Sequence, residues 1–142
     1  MASDIDVSML WEAADARSAL AARFGFTDAD HVASWFERAL AEAWSGRLDR
    51  CDRLVISDRN LLAWLTVDGR DVVAKCCVDS TRFARLAAVD ALVSWLGEHR
   101  VPVAAPISAA DGRLRVEHGR FSIGLYPFIR GDLLDAAAIS TR

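Results

Sequence analysis

In the run NLLAWLTVDGRDVVAKCC, residues 60–77, Lys75 stands among valine, alanine and cysteine. Desolvating an ammonium without a partner is costly. Such a lysine therefore either sits on the exposed side of a strand with its stem along apolar neighbours, or holds an anion. Other residues suited to chemistry are sparse. His31, His99 and His118 are far apart, with no cysteine or carboxylate at metal-ligand spacing, so no metal site is expected. Cys51 and the adjacent Cys76 and Cys77 form no C-x-x-C and no even framework. Adjacent strand residues face opposite sides of a sheet, so these read as buried, reduced thiols.

The elements that must position Lys75 follow from periodicity. Val7, Leu10, Trp11, Ala14, Ala21 and Phe24 recur at helical steps and predict a helix over about residues 7–24, stopped by Gly25. Thr27 or Asp28 could cap a second helix carrying Val32, Trp35, Phe36, Ala39, Leu40, Ala43 and Trp44, whose tryptophans read as core. From residue 54 the period shortens. The runs LVIS, LLAWLTV and RDVVAKCCV predict three antiparallel strands, the last two joined by a hairpin at Asp68-Gly69. A helix over 81–97 follows, with Ser80 as cap and Phe83, Leu86, Val89, Leu92, Val93 and Leu96 on one face. VPVAAP breaks it, and RLRVEH and RFSIGLYPFI predict two more strands, joined across His118 and Gly119.

The fold class expected is therefore α+β: a five-stranded antiparallel sheet with one packed helix, preceded by two N-terminal helices. Composition agrees, since 142 residues at 53% hydrophobic and 26% charged suffice for one globular domain with a real core. The formal charge of −3 is interspersed, which excludes a basic stripe for nucleic acid and a polybasic membrane patch. No leader and no bilayer-spanning apolar window is legible, so a cytoplasmic protein is expected.

A strand, turn and strand bearing a lysine, then a helix, then two strands ending in LYPFIRGDLLD resembles the N-terminal lobe of the protein-kinase-like fold. More narrowly it resembles the aminoglycoside and choline phosphotransferase family. The likeness spans about residues 54–135 and rests on Asn60 opening the second strand, VVAK ending at Lys75, RLAAVDALVSWLGEHRVPVAAPI, and LYPFIRGDLLD. It divides the chain into a helical extension (1–50), a kinase-like lobe (51–130) and the start of a linker to a second lobe (131–142). The partners it implies are a nucleotide and a small-molecule hydroxyl substrate.

The resemblance implies that Lys75 reaches the α- and β-phosphates of ATP and is steadied by a carboxylate of the next helix. Val89 stands where that acidic residue is expected, and Asp90, about 100° further round the helix, is the nearest carboxylate to serve. SDRN at 57–60 lacks the glycines of a phosphate-cradling loop. Ser57, Arg59 and Asn60 either meet phosphate with side chains or form an ordinary polar turn. With Tyr126 before the hinge, and Gly131 and Asp132 beyond it, adenine would meet the carbonyl of Pro127 and the amide of Ile129. Otherwise Leu125 and Phe128 are plain core. No catalytic aspartate or Mg²⁺-holding pair is recognisable, since His118-Gly119 is followed by Arg120, so Mg²⁺ is expected only with a following lobe. Two functions remain open at this point: the ATP-binding lobe of a small-molecule phosphotransferase, catalytically incomplete in these 142 residues, or a stand-alone, non-catalytic module of that fold. Self-association of the lobe is expected from its uncovered apolar surface.

Overall fold

In the computed structural model, which describes residues 4–131, the chain runs β1 (Asp6–Met9), α1 (Ala16–Phe24), α2 (Ala29–Trp44), β2 (Leu48–Ile56), β3 (Asn60–Val67) and β4 (Arg70–Cys77). It continues through a 3-10 turn (Ser80–Arg82), α3 (Phe83–Glu98), β5 (Arg115–His118) and β6 (Phe121–Pro127). The strands form one sheet in the order β1-β2-β3-β4-β6-β5. Five of them pair antiparallel, as expected, and β1 adds a sixth, parallel to β2. The all-antiparallel expectation is corrected accordingly. Ile5, Val7 and Met9 alternate with Asp6 and Ser8 at strand period, and their side chains pack on the core. The helix expected from residue 7 is correspondingly short. It starts at Ala16, where the Asp15 carboxylate accepts from the Ser18 amide at 3.0 Å, and it ends at Gly25 in the left-handed region.

Of the two candidate caps for α2, Asp28 is the one used, accepting from the His31 amide at 2.8 Å. Leu20 and Phe24 of α1 and Phe36 and Leu40 of α2 lie over one face of the sheet, against Ile56, Leu61, Leu65, Ala74, Ile123 and Leu125. The tryptophans of α2 belong to this side. Trp35 packs its ring on Phe26, Phe36 and Phe121, and the Trp44 indole N–H donates to the Ile107 carbonyl at 3.0 Å. At the hairpin, Asp68 and Gly69 both take positive φ, 49° and 76°, the turn whose twist suits a two-residue connection. β2 begins well before the apolar run at Leu54, because Leu48, Arg50, Cys51 and Arg53 still pair with β3, Asp49 and Asp52 falling at two breaks in register.

On the opposite face stands α3. Asp79, not Ser80, caps its leading turn, accepting from the Thr81 amide and hydroxyl at 3.2 and 2.6 Å. The helix does not bury one continuous apolar face. Val89, Leu92 and Trp95 are 47%, 57% and 53% exposed, while Asp90 is the residue it buries. Among the described residues, no helix is long and apolar enough to cross a membrane.

The three cysteines are free, Cys76 and Cys77 being buried. Burial pushes the Cys76 thiol up, and pushes that of Cys51 up to about 12. The thiolate is the reactive form, so Cys51 and Cys76 should be poor nucleophiles at neutral pH, while Cys77 is withheld from reagents by its burial. Aromatic-disulfide reagents should label Cys76 and Cys77 at least about a hundredfold more slowly in the folded protein than in urea, since labelling waits on opening. Rapid labelling of all three without denaturant would contradict this packing.

Candidate functional site

Lys75 is the sole lysine of the chain. The alternation of β4 turns Val72, Ala74 and Cys76 into the core and Lys75 toward the α3 side, where it is exposed. Its ammonium lies 4.8 Å from the centre of the Tyr126 ring, and among the described residues no carboxylate pairs with it. It opens on a cavity of about 410 Å³ between sheet and α3, whose walls are largely apolar (Val55, Leu62, Leu86, Val93), with Ser57 and Asn60 also in the lining.

Asp90 reaches the same cavity from α3, and its carboxylate is already engaged. One oxygen accepts from the Tyr126 hydroxyl at 2.5 Å, the other from Nη1 of Arg115 at 3.0 Å. The Asp90 and Arg115 side chains are only 6% and 8% exposed. Arg115 also donates from Nε to the Ser122 hydroxyl at 2.9 Å, from Nη1 to the Tyr126 oxygen at 3.0 Å, and from Nη2 to the carbonyls of Ser122 and Lys75 at 3.1 and 3.3 Å. Burial, and then the hydrogen bond to Asp90, push the Tyr126 hydroxyl up, so it remains a donor. Gly124 makes the arrangement possible. It pairs with Arg115 on one side and Lys75 on the other, and a Cβ there would lie 2.5 Å from the Tyr126 oxygen and 2.7 Å from Arg115 Nη1.

Asp90, the nearest carboxylate to the position where the resemblance implies a partner for Lys75, is thus held by Arg115 and Tyr126. Asp90 is also not an exposed aspartate on the flank of its helix. Arg115 was missed in the sequence, and the legible signal for it was a glycine inside an apolar strand, which marks a close approach.

Of the turn residues, Ser57 and Asn60 face the cavity, the Ser57 amide donating to the Asn60 carbonyl at 3.0 Å. Arg59 turns away. Its Nε lies 3.4 Å from Asp58, and it lines a separate surface hollow with Arg23 and Arg120. Pro127 ends β6 opposite Val72, and the Phe128 amide donates to the Asp71 carbonyl at 3.2 Å. Ile129 is 64% exposed, and neither it nor Pro127 lines the Lys75 cavity. Asp132, the outer mark of the expected hinge, lies outside the described residues. His118 ends β5 on the other side of the molecule, 3.6 Å from Glu42 and edge-on to Trp35. Among the described residues, no group of three or more His, Cys, Asp or Glu side chains could hold a metal ion.

No protein-family model matches the sequence, and no curated protein matches it. Among solved structures, one that matches is the spectinomycin phosphotransferase APH(9)-Ia, determined with ADP and spectinomycin. The match has a TM-score of 0.58 and 12% identity, over 70% of this chain and 30% of that one. At that identity the likeness is one of fold, and this chain spans about 30% of the length of the protein it resembles.

Proposed function

We propose that this chain is the ATP-binding lobe of a small-molecule phosphotransferase of the aminoglycoside or choline kinase kind. On this reading residues 51–130 form the lobe, 1–50 an extension whose two helices pack on it and whose strand β1 joins its sheet, and 131–142 lead toward a second lobe. The protein is proposed to work in the cytoplasm. The observation that carries the reading is Lys75: the chain's one lysine, paired with no carboxylate among the described residues, turned into a cavity, on a fold shared with a phosphotransferase solved with ADP.

An ammonium without a carboxylate partner among the described residues, at the mouth of an open cavity, fits phosphate oxygens. Ser57 and Asn60 add a hydroxyl and an amide where other loops offer backbone N–H groups. Arg59, on the outer side of the turn, contributes positive potential rather than contact. Adenine is assigned to the Pro127 carbonyl and the Ile129 amide beyond Tyr126, proline lacking only the donor. The described residues supply no metal cage, so Mg²⁺, the base for the substrate hydroxyl and the substrate pocket belong to the second lobe in this proposal.

The competing reading, a stand-alone binding module, draws on one observation: the apolar side chains of α3 that face solvent. A single experiment separates them. Reductive ¹³C-methylation keeps the charge of Lys75 and gives one side-chain signal, which ADP and tripolyphosphate should each shift, weakly but saturably. No shift at about 10 mM ligand, a concentration that reveals even millimolar affinity, would favour the module.

A further inference from the structure

We propose that Arg115 is a positioning residue of this site: it holds the Asp90 carboxylate against Tyr126 and so leaves the Lys75 ammonium free for an incoming anion. The identity of that anion rests on the nucleotide reading above, whereas the role of Arg115 rests on geometry alone.

Three charged groups meet one side chain. Asp90 and Arg115 both bond the Tyr126 hydroxyl, and Lys75 lies over its ring. Among the described residues two cations and one carboxylate meet here, and the single negative charge can neutralise only one of them. Arg115 is the one that cannot go without it. It is buried and always charged, and its planar fork already uses every nitrogen; stripped of its carboxylate, it would be an uncompensated charge in the interior. Lys75 is exposed and hydrated, and tolerates the lack of a partner. The choice between the two is built into the sheet. Gly124 lies between Arg115 and Lys75 in the ladder, and its missing side chain is the space through which the guanidinium reaches Tyr126 and Asp90. In kinase-type sites the helix carboxylate steadies the strand lysine. Here it steadies an arginine two strands away, and any anion drawn to Lys75 meets an ammonium that is not already neutralised.

The sole lysine makes the test specific. In ¹³C-methylated Arg115→Met, Asp90 loses its cation and should turn to Lys75. The methyl signal then moves with no anion present, and tripolyphosphate binding weakens about tenfold. Adding Asp90→Asn to that variant should return both toward wild type, because no carboxylate remains. Arg115→Lys should rescue in part. A purely structural Arg115 would move neither readout. A folded Arg115→Met with wild-type signal and affinity overturns the proposal. If that variant does not fold, Asp90→Asn alone decides: binding equal to or tighter than wild type supports the proposal, and weaker binding overturns it. Should wild type ignore tripolyphosphate, the nucleotide reading fails, while the anion-free signal of Arg115→Met and its reversal by Asp90→Asn still report whether Arg115 keeps Asp90 from Lys75.

Discussion

Lys75→Met, made in a protein that carries both lobes, should lower kcat by about two to three orders of magnitude while leaving stability within about 0.5 kcal/mol. The two halves of that expectation come from different observations. Lys75 is exposed and makes no ion pair among the described residues, its one partner being the face of the Tyr126 ring. Methionine keeps the unbranched stem and the contact with the ring, so nothing buried is orphaned. On the proposed function the lost group is a charge aimed at the position where phosphate charge develops, and such groups act mainly on the transition state. A fall in kcat larger than any rise in KM is the signature. Steady-state kinetics with thermal unfolding as control would measure it, and undiminished turnover would remove Lys75 from the chemistry.

The largest effect on stability is expected from Asp90→Ala, at about 3–5 kcal/mol. Alanine deletes both acceptors at once. The buried Arg115 cation then has no counter-charge, and the Tyr126 hydroxyl loses its 2.5 Å partner. Against a total of about 5–15 kcal/mol for a typical domain, such a loss brings the fold near its limit. Asp90→Asn keeps the shape and one acceptor and should cost clearly less. Urea unfolding followed by tryptophan fluorescence would rank the three proteins. A variant Asp90→Ala as stable as wild type would mean that the network contributes nothing net.

What could be read from the sequence was whatever is local. The Asp68-Gly69 turn, the alternation of β3 and β4 and the position of Lys75 depend on neighbours a few residues apart, and all three are found where periodicity puts them. β1 was illegible because four residues make a weak pattern, and its pairing of Asp6 with Arg53 spans two helices. The burial of Asp90 was illegible for a different reason. α3 is rich in alanine, leucine and valine nearly all round, so helical spacing names several possible apolar faces and does not say which one meets the sheet. Arg115 needed three distant segments to be brought together before its role could be seen, namely α3, β5 and β6. Arg59 and Asn60 are neighbours in the chain, but the turn sends one outward and the other into the cavity, a matter of backbone angles that composition leaves open.

The short strand β1 has a consequence for how copies of this chain behave when crowded. An open sheet invites another strand to pair with its unsatisfied edge, the first step toward fibrils. Both borders here are blunt. β1 and β5 offer four residues each, and the part of β2 that β1 leaves uncovered carries Asp49, Arg50 and Asp52 with two breaks in register. Beyond the other border the Ile107 amide takes the Leu125 carbonyl at 2.7 Å. Backbone-to-backbone stacking of sheets is therefore disfavoured, and contacts between copies fall to side chains such as Val89, Leu92 and Trp95. An assembly of that kind buries apolar surface without rearranging strands, so it should dissolve on dilution instead of growing into fibres.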